Sequence, residues 1–226
     1  LPAPEQSLYV FDEAHRLGET AGAHFGAQCP LEATGTWLQH LQTQAARQQT
    51  TLAAAAECAA RAATVAATAA EAGRVLPHAL ALFAALLPAG TARHRFAGGR
   101  VPEALRLLCG ELAAGFGALV AALEQYRQAL EAGFDRAGFP LPRPELETAF
   151  QAAGHWLGRA EGGARLWQGM AEPDAAGTPP LARWAVREDG GELRVLVAPV
   201  SAGQRLAELL WARCGGAVLT SATLRS

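Results

Sequence analysis

The clearest hydrophobic periodicity in the chain lies between residues 103 and 134. Its apolar residues recur at steps of three or four, which places them on one face of a long amphipathic helix. We interpret this face as packed in a core rather than as a groove for a cofactor or a partner. The series is Leu105, Leu108, Leu112, Phe116, Leu119, Leu123, Tyr126, Leu130 and Phe134.

The rest of the middle of the chain predicts three further helices. Their composition favours helix, and the first lies between Pro30 and Gly73, residue types suited to a helix start and a helix stop. Pro77 suits the first turn of the next helix. We expect these helices at 31–72, 77–87 and 145–170, with Pro- and Gly-containing connections at 88–102, 138–144 and 172–180.

Both ends of the chain have the pattern of strands. The run at 8–11 is apolar on both faces, which is typical of a central strand in a parallel sheet. Further along, 182–187 and 192–198 flank an Asp-Gly-Gly turn, which indicates a hairpin. A helix at 204–213 and a short apolar strand at 217–220 follow. The predicted fold is therefore mainly α, with a long helical middle between strands.

Composition narrows the chemistry that is available to the chain. Of its 226 residues, 50% are hydrophobic and 18% charged, so it can bury a sizeable core. The net charge is -2, so any contact with nucleic acid has to come from a local basic patch. All 19 basic residues are Arg. The absence of Lys excludes a Schiff-base lysine, a lysine general base and a complete P-loop within this chain.

Cysteine spacing and apolar run lengths indicate the class of protein. The four cysteines contain no CxxC pair, so no local zinc or iron–sulfur ligand set is predicted. We expect reduced, mostly buried thiols in a cytosolic protein, and two disulfides in a secreted protein are the alternative. The most apolar stretches, 75–87 and 112–123, are shorter than the ~20 residues that span a bilayer, so we expect no membrane segment. Because the first residue is Leu, we expect a fragment with neighbouring segments on both sides.

The first candidate motif is Asp12-Glu13-Ala14-His15, directly after the strand at 8–11. The carboxyl end of a parallel strand faces the ligand crevice of an α/β sheet. An Asp there can hold the Mg²⁺ of a bound nucleotide, and a neighbouring Glu can orient an attacking water. The alternative is an acidic helix start, with Asp12 as the cap and Glu13 favoured by the helix dipole.

The second candidate motif is Ser221-Ala222-Thr223, which follows the predicted strand at 217–220. Hydroxyl groups there can hydrogen-bond a carboxylate or a phosphate on a neighbouring strand. The alternative is an ordinary strand end closed by Ser or Thr, and we expect Thr220 only to close the strand.

Together, the two motifs resemble motifs II and III of superfamily 2 helicases. The interval from Asp12 to Ser221 is 209 residues, mostly helical, and this resembles the DinG/XPD-type DNA helicases, whose helical insertion is called the arch domain. The likeness is carried by LPAPEQSLYVFDEAHRL and APVSAGQRLAELLWARCGGAVLTSATL at the two ends. It implies a RecA-like α/β motor domain with motif II at 1–25, the arch at 26–180 and a return to the motor domain with motif III at 181–226.

The resemblance implies a protein that uses ATP and Mg²⁺ to move 5′→3′ along single-stranded DNA and to unwind duplex DNA. By this likeness Asp12 coordinates Mg²⁺, Glu13 activates water and His15 links the nucleotide state to the motor. The trio Ser221, Ala222 and Thr223 couples hydrolysis to DNA movement.

Several parts of this family are expected outside the chain. These are the Walker A loop, the four-cysteine iron–sulfur module and the second motor domain, so the isolated chain is predicted to be inactive. We expect a monomer in a bacterial cytoplasm. A rival interpretation is a non-enzymatic helical interaction or scaffold module in which both motifs are incidental. The helicase interpretation requires the strands that end at Asp12 and Thr220 to be neighbours in one parallel sheet.

A basic segment in the predicted loop at 88–102 is the candidate DNA contact. Arginines there can contact phosphates, and an aromatic ring can stack on a base. A solvated connection between helices is the alternative. The candidates are Arg93, Arg95, Phe96 and Arg100.

Overall fold

Four long helices and two small sheets make up residues 3–173 and 181–222, the part of the chain that the computed structural model describes. The helices are α1 (Leu17–Phe25), α2 (Leu31–Thr51), α3 (Ala56–Leu86), α4 (Glu103–Phe134), α5 (Arg143–Ala171) and α6 (Ala202–Leu206), which continues into a π-helical turn at Ala207–Trp211. The strands are β1 (Leu8–Phe11), β2 (Ala27–Pro30), β3 (Arg93–Arg95), β4 (Leu181–Arg187), β5 (Leu193–Pro199) and β6 (Gly216–Leu219).

The four long helices form a bundle in which each helix packs against the next along the chain. The apolar stripe predicted on α4 is its buried face, which confirms core packing as its role. Seven stripe residues are at most 4% exposed, and Leu108 and Phe134 pack at the margin. Those seven are Leu105, Leu112, Phe116, Leu119, Leu123, Tyr126 and Leu130.

The predicted helix break at Gly73 is wrong. Helix α3 runs through Gly73 and Pro77, and the break lies at 52–55. Gly73 is where α3 approaches α2, since an added Cβ would lie 3.7 Å from the Cβ of Leu38. A proline inside a helix costs about 3 kcal/mol, and the buried face of α3 offsets this cost. That face comprises Cys58, Ala62, Val65, Ala69, Ala72, Leu76, Ala79 and Phe83.

Strands β2, β5, β4 and β3 form an antiparallel sheet in that order. The predicted hairpin is confirmed as β4–β5, whereas β2 and β3 were not predicted as strands. The hairpin is hydrogen-bonded to β2 and β3, and one of its faces packs on α5. The contact with α5 is close, since a Cβ added to Gly169 would lie 3.1 Å from Cγ1 of Val197. The hairpin is therefore connected to the helical middle through β2, β3 and α5.

Strands β1 and β6 form a separate parallel pair, from Leu8 opposite Gly216 to Phe11 opposite Leu219. The structure thus confirms that the strands leading to the two motifs are neighbours. Outside the ladder, the Gly215 N–H donates to the Ser7 carbonyl at 3.1 Å.

Helices α3 and α4 are long and apolar enough to cross a membrane by length and composition alone. The expectation of no membrane segment counted only uninterrupted apolar runs and missed this property. In the structure each of these helices packs between two others: α3 between α2 and α4, and α4 between α3 and α5.

Candidate functional site

The two motifs meet at the carboxyl edge of the parallel pair β1–β6. Beyond the last paired residues, the Thr220 N–H donates to the Phe11 carbonyl and the Ala14 N–H donates to the Thr220 carbonyl, each at 2.9 Å. These bonds carry the backbone pairing past the strand ends. They fix both motifs at the edge of the sheet where ligands of α/β proteins bind.

Asp12 is held by a contact between the motifs. Its Oδ1 accepts hydrogen bonds from the Thr220 hydroxyl and from the Glu13 N–H, each at 2.9 Å. Its Oδ2 has no hydrogen-bond partner among the described residues. The carboxylate is therefore oriented through one oxygen, and the other can take a cation.

Asp12 does not cap a helix. The short 3-10 helix Ala14–Arg16 has Glu13 at its N-cap, α1 has Arg16, and neither cap makes a side-chain hydrogen bond. The interpretation of the motif as a simple acidic helix start is therefore not what the structure shows.

The backbone of Glu13 adopts a left-handed conformation, with φ 51° and ψ 43°. Among the described residues, Glu13 is the only residue other than Gly with a positive φ. This conformation is sparsely populated by L-residues and occurs preferentially at functional sites. It turns the chain sharply after β1, so that Asp12 and His15 both face the end of β6.

His15 connects the motifs through its Nδ1 atom. Nδ1 lies 2.8 Å from the Ser221 Oγ and 3.1 Å from the Glu13 Oε2. An ionised carboxylate can only accept, so the attractive arrangement has the hydrogen on Nδ1, shared between the carboxylate and the hydroxyl oxygen. Both side chains remain accessible, with 43% of His15 and 58% of Glu13 exposed.

The structure thus brings together four of the predicted site residues, Asp12, Glu13, His15 and Ser221. Ala222 lies in the turn that follows, and Thr223 lies outside the described residues. Sequence reasoning missed Thr220, which was expected only to close the strand. Its position one step beyond the register pair Phe11–Leu219 places it opposite Asp12, and only the strand pairing reveals this.

The residues at this edge fit a magnesium–nucleotide complex but not a metal cage built by the protein. Among the described residues, no group of three or more His, Cys, Asp or Glu could hold a metal ion. Mg²⁺ bound with nucleotides keeps several waters and uses one or two carboxylates together with phosphate oxygens. The free oxygen of Asp12 meets that requirement.

The cysteines do not fit an iron–sulfur cluster. All four are free thiols. Burial raises the pKa of Cys29 to about 11 and that of Cys109 to about 12, so both stay protonated at neutral pH. Cluster ligands are thiolates, and no cysteine cluster exists in the part of the chain that the structure describes.

The basic segment differs from the predicted loop. Arg93 and Arg95 are exposed on the edge strand β3, and Phe96 is only 6% exposed. The Phe96 ring packs edge-on against Phe83 and His94, with centroids 6.5 and 4.9 Å apart. Phe96 is therefore a core residue, and the expectation that it stacks on a DNA base is wrong for this conformation.

The arginines of this segment lie on two different concave surfaces. Arg93 and Arg95 line a cavity of about 470 Å³ whose other lining residues include Trp184 and Val200. Arg100 lines an adjoining cavity of about 510 Å³, which shares Gly98, Gly99 and Arg183 with the first. The three arginines that are close in sequence therefore line two neighbouring cavities.

Comparison with known proteins gives one informative similarity. The chain is 32% identical over 237 residues to the ATP-dependent DNA helicase DinG of Photobacterium profundum. The aligned region is 100% of this chain and 32% of that protein, so the chain spans about a third of the length of the curated relative that it matches. No family model matches the chain. The similarity extends through the helical middle and supports a DinG-like helicase family.

Proposed function

We propose that this chain is the part of a DinG-like, ATP-dependent DNA helicase that runs from motif II through the arch to motif III. The observation that carries the proposal is the direct contact between the motifs. Asp12 bonds to Thr220 and His15 to Ser221, across 208 and 206 residues of sequence. A scaffold with incidental motifs has no reason to join them, whereas a nucleotide site does.

The residues divide the work of ATP hydrolysis between them. Mg²⁺, when bound, neutralises charge on the nucleotide phosphates. Asp12 offers its free oxygen at this position, and Thr220 keeps the carboxylate oriented. Glu13 lies beside it, exposed, where it can orient the attacking water and accept its proton.

The pair His15–Ser221 is the proposed coupling element. A change at Glu13 during hydrolysis reaches Ser221 through the shared Nδ1 hydrogen of His15. Ser221 leads into Ala222 and Thr223, and the segment after β6 thereby senses the state of the nucleotide. We propose that this link drives 5′→3′ movement on single-stranded DNA.

Exposed apolar side chains on the parallel pair support a larger motor domain around it. Leu8 is 80% exposed, Val10 73% and Val218 56%. Parallel sheets are normally covered on both faces, so we propose that further RecA-like strands and helices of the intact protein cover this pair. The chain has no Lys, so the P-loop lysine comes from that remainder, and the isolated chain is inactive.

The proposed division of the chain follows the motifs, with one change made for packing. Residues 1–25 and the segment that carries β6 belong to the motor domain, and the arch begins at 26. The hairpin 181–199 is assigned to the arch, since it pairs with β2 and β3 rather than with β1 or β6. Arg93, Arg95 and Arg100 are the proposed phosphate contacts, in a monomer located in a bacterial cytoplasm.

The test is the Mg²⁺-dependent, DNA-stimulated ATPase activity of the intact protein. Asp12→Asn and Glu13→Gln are each expected to lower kcat by about 10²- to 10⁴-fold without unfolding the protein. Asp135→Asn, an exposed aspartate at the end of α4, is the matched control and should retain full activity.

The coupling is tested by a double-mutant cycle of His15→Ala and Ser221→Ala. We expect the two losses of DNA stimulation to be less than additive, because each variant breaks the same contact. Full DNA-stimulated activity in Asp12→Asn would sink the proposal and leave the scaffold interpretation. ATP hydrolysis by the isolated 226-residue chain would contradict the proposal that this chain is inactive on its own.

A further inference from the structure

The four-stranded sheet has one buried face and one face that is partly exposed. Its side chains alternate, so that Arg183, Ala185, Val195 and Val197 are buried against the helices. The opposite face is partly or fully exposed. That face, here called the outer face, carries Gln28, Arg93, Arg95, Ala182, Trp184, Val186, Arg194, Leu196 and Ala198.

Trp184 lies at the centre of the outer face, in cross-strand register with Arg95 on one side and Leu196 on the other. Directly paired residues of antiparallel strands present their side chains on the same face within contact distance of each other. Trp184, Arg93 and Arg95 line the same cavity of about 470 Å³, together with Val200, which is 64% exposed. An aromatic ring and two guanidinium groups thus surround a single concave surface.

The charge of the outer face is positive and uncompensated near Trp184. Arg194 is paired with Glu188, with a hydrogen bond of 3.0 Å. Arg93 and Arg95 have no carboxylate partner among the described residues. The strand positions of this face include no Asp or Glu. The cavity is therefore complementary to an anion that also carries an apolar, planar group.

We propose that the outer face binds single-stranded DNA, with one base stacked on Trp184 and the adjoining phosphates on Arg93 and Arg95. The inference rests on the proposed function for the presence of DNA. Trp184 is half-buried and lines the cavity. A base stacks on an accessible aromatic ring whatever its sequence, and arginines beside the ring follow the phosphate backbone. An acidic peptide would use the arginines but would leave the flat ring without a matching partner.

The position of the cavity connects it to the nucleotide site. Val200 follows β5 directly, and the chain then passes through α6 and the π-helical turn into β6. The cavity is thus linked along the chain to β6, the strand that leads into Thr220 and Ser221.

The experiment measures binding of the intact protein to two labelled oligonucleotides of about 20 nucleotides, an oligo-dT and its abasic counterpart, by fluorescence anisotropy. Trp184→Ala is expected to raise the Kd for oligo-dT by about 5- to 100-fold and to leave the Kd for the abasic strand within about twofold. Trp184→Phe keeps a stacking ring and should retain most of the affinity.

The arginines are expected to behave differently from the indole. Arg93→Ala with Arg95→Ala weakens binding of both oligonucleotides and lowers the slope of log Kd against log salt by about 1.4. Arg136→Ala is the matched control, since Arg136 is exposed beyond the far end of α4, about 48 Å along the helix from its start. It should leave both affinities and the slope unchanged.

Three results would overturn the inference. One is an unchanged Kd in Trp184→Ala, and another is an equal loss for the two oligonucleotides, which shows that the ring does not contact a base. In both cases DNA-stimulated ATP hydrolysis by the wild type leaves the proposed function intact. The third is a wild type that neither binds DNA nor hydrolyses ATP, which removes the proposed function as well.

Discussion

Replacing Arg183 by Met removes a charged group that joins strand β4 to the end of α5 and to the connection before α4. Arg183 is only 3% exposed. It donates to the carbonyls of Gly169 at 2.6 Å, Gly99 at 2.8 Å and Glu172 at 2.8 Å. Two of these carbonyls lie at the end of α5, where no later helical N–H is available to them. The third is in the Gly-containing connection that leads to α4.

The expected loss of stability follows from these contacts. Hydrogen bonds from a charged donor are worth about 1.5–3 kcal/mol each. The three short ones are lost, together with a long one of 3.5 Å to the Leu181 carbonyl. Against this, removal of a buried cation returns several kcal/mol of desolvation cost. We therefore expect Arg183→Met to lower the free energy of unfolding by about 3 kcal/mol. Met is nearly as long and fills most of the same space, so the change reports mainly the missing donors.

Urea unfolding followed by far-ultraviolet circular dichroism measures this effect. With an m value of about 2.5 kcal/mol/M, the midpoint should fall by about 1.2 M urea at unchanged m. The matched control is Arg74→Met, which makes the same substitution at an exposed ion pair on α3 and should cost under about 0.5 kcal/mol. A midpoint for Arg183→Met that equals that of the control would refute the reasoning.

Three further predictions concern the site, the helix packing and the thiols. If the proposed function holds, Thr220→Val should lower the ATPase kcat of the intact protein about 10-fold, with recovery in Thr220→Ser, because only a hydroxyl can donate to the Asp12 carboxylate. A wild-type rate in the valine variant would contradict this. Gly163→Ala should destabilise by about 1–3 kcal/mol, since its Cβ would overlap an aromatic ring of α4, whereas Gly162→Ala meets open space and should stabilise slightly; thermal melts that move together would argue against it. Cys214 should react with a thiol reagent at pH 8 well before Cys109, whose pKa burial raises to about 12. The Cys109 thiol ionises near pH 9 in the unfolded chain but only near pH 12 in the folded protein, so the free energy of unfolding should fall from about pH 9 to 12. A rise in the free energy of unfolding over that range would contradict the burial of Cys109.

Periodicity predicted the elements that carry their own signal. The apolar stripe predicted a helix at 103–134, and α4 has these bounds, because an unbroken apolar face has a single favourable way to pack. The Asp-Gly-Gly turn gave the hairpin for a similar reason, since Gly191 adopts the positive φ of 85° that such a turn requires. The pairing of β1 with β6 came from the motifs and not from periodicity.

Elements that depend on distant partners were missed or misplaced. Strands β2 and β3 have only four and three residues, and their extended form comes from pairing with β5 and β4. Phe96 stands beside arginines in the sequence, yet its ring is turned into the core. Trp184 was not singled out, because only the strand register places it beside Arg95. The burial of Phe96 and the pairing of Trp184 with Arg95 both depend on residues far away in the sequence, so local sequence patterns do not reveal them.

The antiparallel pairing of β2 with β5 has a consequence for the order of folding. The contact between Phe11 and Thr220 closes a loop of 209 residues. Within that loop, Ala27 pairs with Val197, so the folded segment between these two residues holds its own ends together. The free chain that then remains between Phe11 and Thr220 is about 40 residues, which lowers the entropic cost of closure by about 1.5 kcal/mol.

We therefore expect the helices and the four-stranded sheet between residues 27 and 197 to form early and the parallel pair β1–β6 to form late. Hydrogen exchange during refolding should protect the amides of α4 before those of β1. In kinetic terms, we expect residues 27–197 to act as a folding unit that brings strands β1 and β6 to each other. An insertion with adjacent ends can thus grow in length without slowing the assembly of the site into which it is inserted.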